Sequence, residues 1–86
     1  MFYRHYLREE LQKRIHKNPN YSVRSFARAL KMSPGPLSEV LSGKRSISRK
    51  VSERILGQLE LSEESRGRFI RSVLLEKRKR SIRPTA

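Results

Sequence analysis

Apolar side chains recur at Tyr3, Leu7, Leu11 and Ile15, one every fourth residue, with Phe2 and Tyr6 flanking the stripe. That period puts them on one face of an amphipathic helix from Phe2 to about Lys17. Asn18-Pro19-Asn20 ends it, because the residue before a proline is pushed out of the helical region. A second set at Val23, Phe26, Ala27 and Leu30 predicts a helix over Val23 to Leu30, with Ser22 as its N-terminal cap. Ser33 is expected to cap the third helix. Pro34 fills its first position, where a missing N–H costs nothing, and Gly43 closes it in a left-handed conformation. Ser48 caps a fourth helix to about Leu59 through Val51 and Ile55, and Leu61 is expected to be buried in the connection that follows. Ser62 starts a fifth, in which Glu63 and Glu64 suit the positive end of the helix dipole. Phe69, Ile70, Val73 and Leu74 are its expected apolar face, with Gly67 a weak point. The pattern predicts an all-α fold, a compact bundle of about five short helices.

The stretch VRSFARALKMSPGPLSEVLS, Val23 to Ser42, carries most of the information. Its apolar residues lie on one helical face up to Leu30. Met32 fills a turn, and Leu37, Val40 and Leu41 then take up a new face after the break at Ser33-Pro34. Ala27 is small at mid-helix, where a second helix crossing steeply needs backbone clearance. This is the pattern of two helices joined by a tight turn, the second able to enter a DNA major groove.

Charge sharpens that reading. The chain has 21 Lys and Arg against 8 Asp and Glu, a formal net charge of +13, and a sequence pI near 11.3. Such an excess self-repels in a small body and calls for a polyanionic partner, nucleic acid before an anionic membrane surface. Eighty-six residues, 35% of them apolar, suffice for one modest core and leave no room for a separate substrate domain. No apolar run reaches the ~18 residues a membrane span needs, and no signal peptide is visible before the first helix. Without cysteine, disulfides are excluded. A cytoplasmic, nucleoid-associated location is expected.

The pattern S-V-x-x-F-A-x-x-L-x-M-S-x-x-x-L-S-x-V-L-S-G-K-R, from Ser22 to Arg45, resembles the Cro/C1-type helix-turn-helix domain of phage and bacterial repressors. The chain is more closely similar to the N-terminal head of a bacterial family whose longer C-terminal domain has no assigned function. Ala27, Ser33, Leu37-Ser38 and Ser42-Gly43-Lys44-Arg45 carry the likeness, which extends from Tyr3 to about Leu75. It implies a DNA-binding domain at residues 1–76 and a missing C-terminal domain or partner protein, while the basic run from Lys77 to Arg83 and the Pro-Thr-Ala end predict a flexible tail at residues 77–86. Two positions depart from the pattern. Lys31 stands where many members have glycine, which a left-handed lysine tolerates at about 1–2 kcal/mol. Pro34, Gly35 and Pro36 stand where repressors place long polar side chains that read base edges.

The DNA-binding candidates follow from these two lines. Lys44 and Arg45 come after the third helix, where the family meets the phosphate backbone, and Arg49 stands near them. Ser22, Arg24 and Ser25 open the second helix, whose free N–H groups favour an anion, although Ser22 is also its cap. Ser33 and Gly35 start the third helix, Ser33 as a cap before a base reader. Ser38 reaches a base or phosphate, or bonds back to its own helix. Glu39 is able to accept from cytosine N4 but repels phosphate. Ser42 completes the set. Lys77, Arg78, Lys79 and Arg80 are tail candidates, either a DNA-tracking arm, an extension toward a missing domain, or a solvated end.

Other chemistry finds little support. Tyr3, Tyr6, Phe26 and Phe69 recur at helical spacing, as core residues rather than a stacking platform. His5 and His16 are isolated, and no nucleophile–base pair or glycine-rich phosphate loop is present, so no metal, cofactor or catalysis is expected. The expected function is binding to double-stranded DNA, as a transcriptional regulator or part of one, with pairing into a homodimer an open question. The alternatives are a low-specificity nucleoid or RNA-binding module, and an antitoxin- or adaptor-type protein-interaction domain.

Overall fold

The computed structural model describes the backbone of residues 2–81 and the side chains of residues 2–78. Its elements are α1 (Phe2–Lys17), α2 (Val23–Ala29), α3 (Pro34–Ser42), α4 (Arg49–Leu56) and α5 (Glu63–Ser81). The described residues contain no strand, so the all-α expectation holds. The long α1 and α5 pack on each other. α3 rests on α1 and α2, and α4 rests on α5. No described helix is long and apolar enough to cross a membrane.

One core serves all five helices. Tyr3 and Leu7 from α1, Phe26 and Ala27 from α2, Leu37 and Val40 from α3, Ile55 and Leu56 from α4, and Phe69 and Val73 from α5 are all buried. The Tyr3 and Phe69 rings meet at 5.7 Å between centroids, and Tyr6 meets Phe69 edge-on at 6.3 Å. Tyr3, Phe26 and Phe69 are therefore core residues, with Tyr6 half-buried against them. Ala27 is fully buried on the helix that packs against α3, the place where a small side chain was expected.

The local signals translate into local structure. Ser22 Oγ accepts from Ser25 N at 3.2 Å and Ser48 Oγ from Val51 N at 3.1 Å. Just before the fifth helix, Ser62 Oγ accepts from Ser65 N at 3.2 Å. Each satisfies an N–H that a helix start leaves without a backbone partner.

Three expectations need correction. α4 ends at Leu56, short of Leu59, which is nevertheless buried in the turn that follows. Leu61 is only half-buried. On α5, Leu74 is 40% exposed, because Phe69, Val73 and Glu76, spaced four and three apart, take the inward face and turn Leu74 outward. The fifth helix runs past Glu76 to Ser81, into the first part of the segment read as a tail. The reason is chemical. No glycine or proline interrupts the chain between Arg68 and Arg83, and lysine and arginine are good helix formers that favour the negative end of the dipole. The side chains of Lys79 and Arg80 and all of residues 82–86 lie outside the described residues.

Candidate nucleic-acid interface

The connection between α2 and α3 is built by hydrogen bonds that need an unusual backbone. Lys31 N donates to Arg28 O at 3.2 Å and Met32 N to Ala27 O at 2.8 Å. This paired closure requires a left-handed residue at Lys31, whose φ is +58°. Met32 is half-buried against the core and anchors the turn.

α3 then presents one face inward and one outward. Leu37 and Val40 are buried, whereas Ser33, Pro34, Gly35, Ser38, Glu39 and Ser42 are exposed. Ser33 sits at the cap position, but its side chain makes no capping hydrogen bond. A cap accepts from the second or third helical N–H; Pro36, the third residue, has none, and the Gly35 N–H, which is left, is not taken by Ser33. The expected role of Ser33 as a side-chain cap is thus overturned, and its hydroxyl is left facing solvent. Ser38 likewise makes no bond back to its helix. Ser42 does so, through Oγ to Glu39 O at 3.0 Å. Nothing lies within 4 Å of where a Cβ on Gly35 would stand, so that corner of α3 opens onto free space.

At its other end α3 closes as expected, on Gly43 with φ +87°. Gly43 N donates to Val40 O, and Lys44 N to Glu39 O at 2.9 Å. The loop leaving this cap carries Lys44 and Arg45, both exposed. Lys44 has no ion-pair partner among the described residues. Arg45 donates to Glu39 Oε1 from Nε at 3.1 Å and Nη2 at 2.9 Å, with both side chains about half exposed. Arg49 reaches Glu53 at 3.4 Å, in a still more exposed pair. Exposed pairs of this kind stabilise by only about 0–1 kcal/mol, so neither arginine is locked away from an external anion. Arg24, on α2, is exposed with no described partner, as is Lys50 on α4. The hydroxyls of Ser22 and Ser25 lie 3.2 Å apart and serve the α2 cap. On α5, Lys77 and Arg78 are exposed on a continuous helix.

A buried polar network lies behind this surface and was not foreseen from the sequence. Arg4 Nε donates to Val40 O at 2.6 Å, and Nη2 donates to Arg45 O at 3.1 Å. The same guanidinium grips Glu76 through Nη1 to Oε2 at 2.6 Å and Nη2 to Oε1 at 3.1 Å. Tyr3 OH donates to Glu76 Oε1 and accepts from Arg4 Nη2 at 2.9 Å. The Glu76 hydrogen bond, followed by weaker attraction to Tyr3 and Glu76, raises the Arg4 pKa in spite of burial. Removing one member of such a pair strands a charge and costs about 3–5 kcal/mol. One turn along α1, Arg8 Nε donates to Leu41 O at 2.6 Å. Two arginines of α1 thus meet carbonyls near the C-terminus of α3, where the dipole favours cations. The available signal was spacing: Arg4 precedes Leu7 and Leu11 by three and seven residues, and Glu76 follows Phe69 by seven.

No protein-family model, curated protein or solved structure matches the chain.

Proposed function

We propose that this chain is a domain that binds double-stranded DNA, part or all of a transcriptional regulator acting in the cytoplasm on the nucleoid. In this reading α3 approaches the major groove while Arg24, Lys44, Arg45, Arg49 and Lys50 contact phosphates. The observation that carries it is the outward face of α3. Small polar residues and Glu39 line that face, and the Gly43 turn delivers Lys44 and Arg45 directly beside its end. A net charge of +13 supplies the general attraction to a polyanion. With about five phosphates contacted, the slope of log K against log salt is expected to be roughly −4 to −5. A slope near zero, or no binding of duplex DNA at low salt, rejects the reading. Competition with single-stranded DNA and with RNA distinguishes it from a general polyanion binder.

One observation favours a second reading, a protein-interaction module or a pairing of two copies. Leu74 and Leu75 lie side by side on α5, 40% and 52% exposed. Mass measurement in solution, for the chain and for Leu74→Ser with Leu75→Ser, tests it: self-association lost in the double variant supports this face. A monomer at all concentrations rejects pairing.

A further inference from the structure

Arg4 lies in the core, yet its guanidinium reaches the backbone that carries the exposed cations. One nitrogen donates to the carbonyl of Val40, in the last turns of α3, and another to the carbonyl of Arg45 itself. The third nitrogen, Nη1, donates to Glu76 on α5, and Nη2, which meets Arg45 O, is shared with Glu76 and the Tyr3 hydroxyl. We infer that Arg4, oriented by Glu76, is a positioning residue for the Lys44–Arg45 loop, fixing the backbone from which both cations meet phosphate. The inference rests on the duplex-DNA reading above.

The choice of residue supports a directional role. A buried ion pair seldom stabilises a fold more than well-packed apolar side chains of the same volume. What a guanidinium adds is geometry, because its donors lie in one plane at fixed angles. Here Nη1 and Nη2 grip a carboxylate from α5, Nη2 also reaches the loop at Arg45 O, and Nε meets α3 at Val40 O. The loop amides of Lys44 and Arg45 both turn back onto Glu39 O, so the segment is held from two sides. A loop already fixed in its bound shape loses little conformational freedom when it meets DNA.

The test uses the full chain as wild type, Glu76→Gln and Arg4→Lys, each alone and combined with Lys44→Ala and Arg45→Ala. Arg4→Lys keeps the charge beside Glu76 but cannot reach both carbonyls at once. All proteins are compared well below their melting midpoints. Without DNA, amide hydrogen exchange at Lys44 and Arg45 is expected to speed up about tenfold or more in Glu76→Gln and in Arg4→Lys. With a random-sequence duplex, dissociation is expected to be roughly 3–10-fold faster. Once the loop alanines are in place, the same changes should add less than about twofold, since the loop no longer carries the contact. Unchanged exchange in the folded variants, or an equal loss with and without the loop alanines, overturns the inference and leaves the network a purely structural device. If Glu76→Gln does not fold, Arg4→Lys decides on the same readouts. If the wild type fails to bind duplex DNA, the functional reading falls separately, and loop exchange still decides whether Arg4 fixes this backbone.

Discussion

Lys31 and Gly43 occupy equivalent places at the ends of successive helices. Each is left-handed, with φ of +58° and +87°. Each also stands one residue before an amide that reaches back five positions, Met32 to Ala27 and Lys44 to Glu39. One of the two is glycine and the other carries a long side chain, so the two turns differ in local strain while sharing a geometry.

Lys31→Gly is therefore expected to stabilise the fold, by about 1 kcal/mol, since a left-handed lysine is strained by about 1–2 kcal/mol and glycine loses part of that gain to its freer unfolded chain. Gly43→Ala should destabilise by about 1–2 kcal/mol through the same backbone term. Paired denaturant melts measure both. Equal effects of the same sign would contradict the shared geometry.

Much of this architecture was legible because its signals are local. Ser22, Ser48, Pro34 and Gly43 act within a few residues of themselves, and a left-handed Lys31 follows from the glycine position it fills in the resembled pattern. Ser33 departs from the expected cap at a helix start where Pro36 removes one of the two N–H groups a cap accepts from, and the other, on Gly35, is not taken. Leu74 was misread because an apolar stripe was drawn from hydrophobic residues alone, whereas Glu76 takes the inward place. Arg4 and Glu76 stand 72 residues apart, and nothing in helical periodicity pairs two charged side chains across a core. The outward set on α3 and its neighbouring cations was readable residue by residue. That Arg45 is already held by Glu39 was not, since the pair closes around the Gly43 turn.

Glu39 gives the second prediction. Its carboxylate occupies Arg45 and places a negative charge on the face proposed to meet DNA. Glu39→Gln should raise affinity for random duplex DNA by about 3–10-fold, as a negative charge leaves this face and Arg45 meets phosphate without a competing carboxylate, while the salt slope stays at the value set by about five contacts. The same substitution should weaken any preference for cytosine, whose N4 a carboxylate accepts from. Lower affinity in Glu39→Gln would place this face of α3 away from the phosphates.

A third prediction concerns selectivity. Pro34, Gly35 and Pro36 offer no side-chain donor or acceptor at the start of α3, so base recognition must come from Ser33, Ser38 and Glu39, or from DNA shape. The monomeric domain is expected to prefer its best site over random DNA by less than about 10³-fold. Gly35→Gln should gain about 0.5–1 kcal/mol of helix stability, and the open space there accommodates its amide. Selection of bound fragments from random DNA should then return a new preferred base for that variant. A strong, unchanged consensus in both proteins would show that α3 is not the reading element.

The last prediction separates the loop from the basic end of α5. Lys44 and Arg45 project from a turn fixed by backbone hydrogen bonds and by Arg4, so little further freedom is lost when they meet phosphate. Lys44→Ala with Arg45→Ala should cost about 1–3 kcal/mol of binding, mostly as faster dissociation. Lys77 and Arg78 are also on regular helix, which removes the ordering cost that a flexible tail would carry. They follow Glu76 on α5, and both side chains are exposed. Their expected role is long-range attraction, which acts chiefly on the association rate. Lys77→Gln with Arg78→Gln should slow association by roughly 2–5-fold at low salt, lose that difference at high salt, and leave dissociation nearly unchanged. Circular dichroism and a cooperative melt first establish that both variants are folded. Should the α5 variant dissociate much faster while the loop variant binds normally, α5 is the principal binding element and Lys44 and Arg45 face away from the DNA.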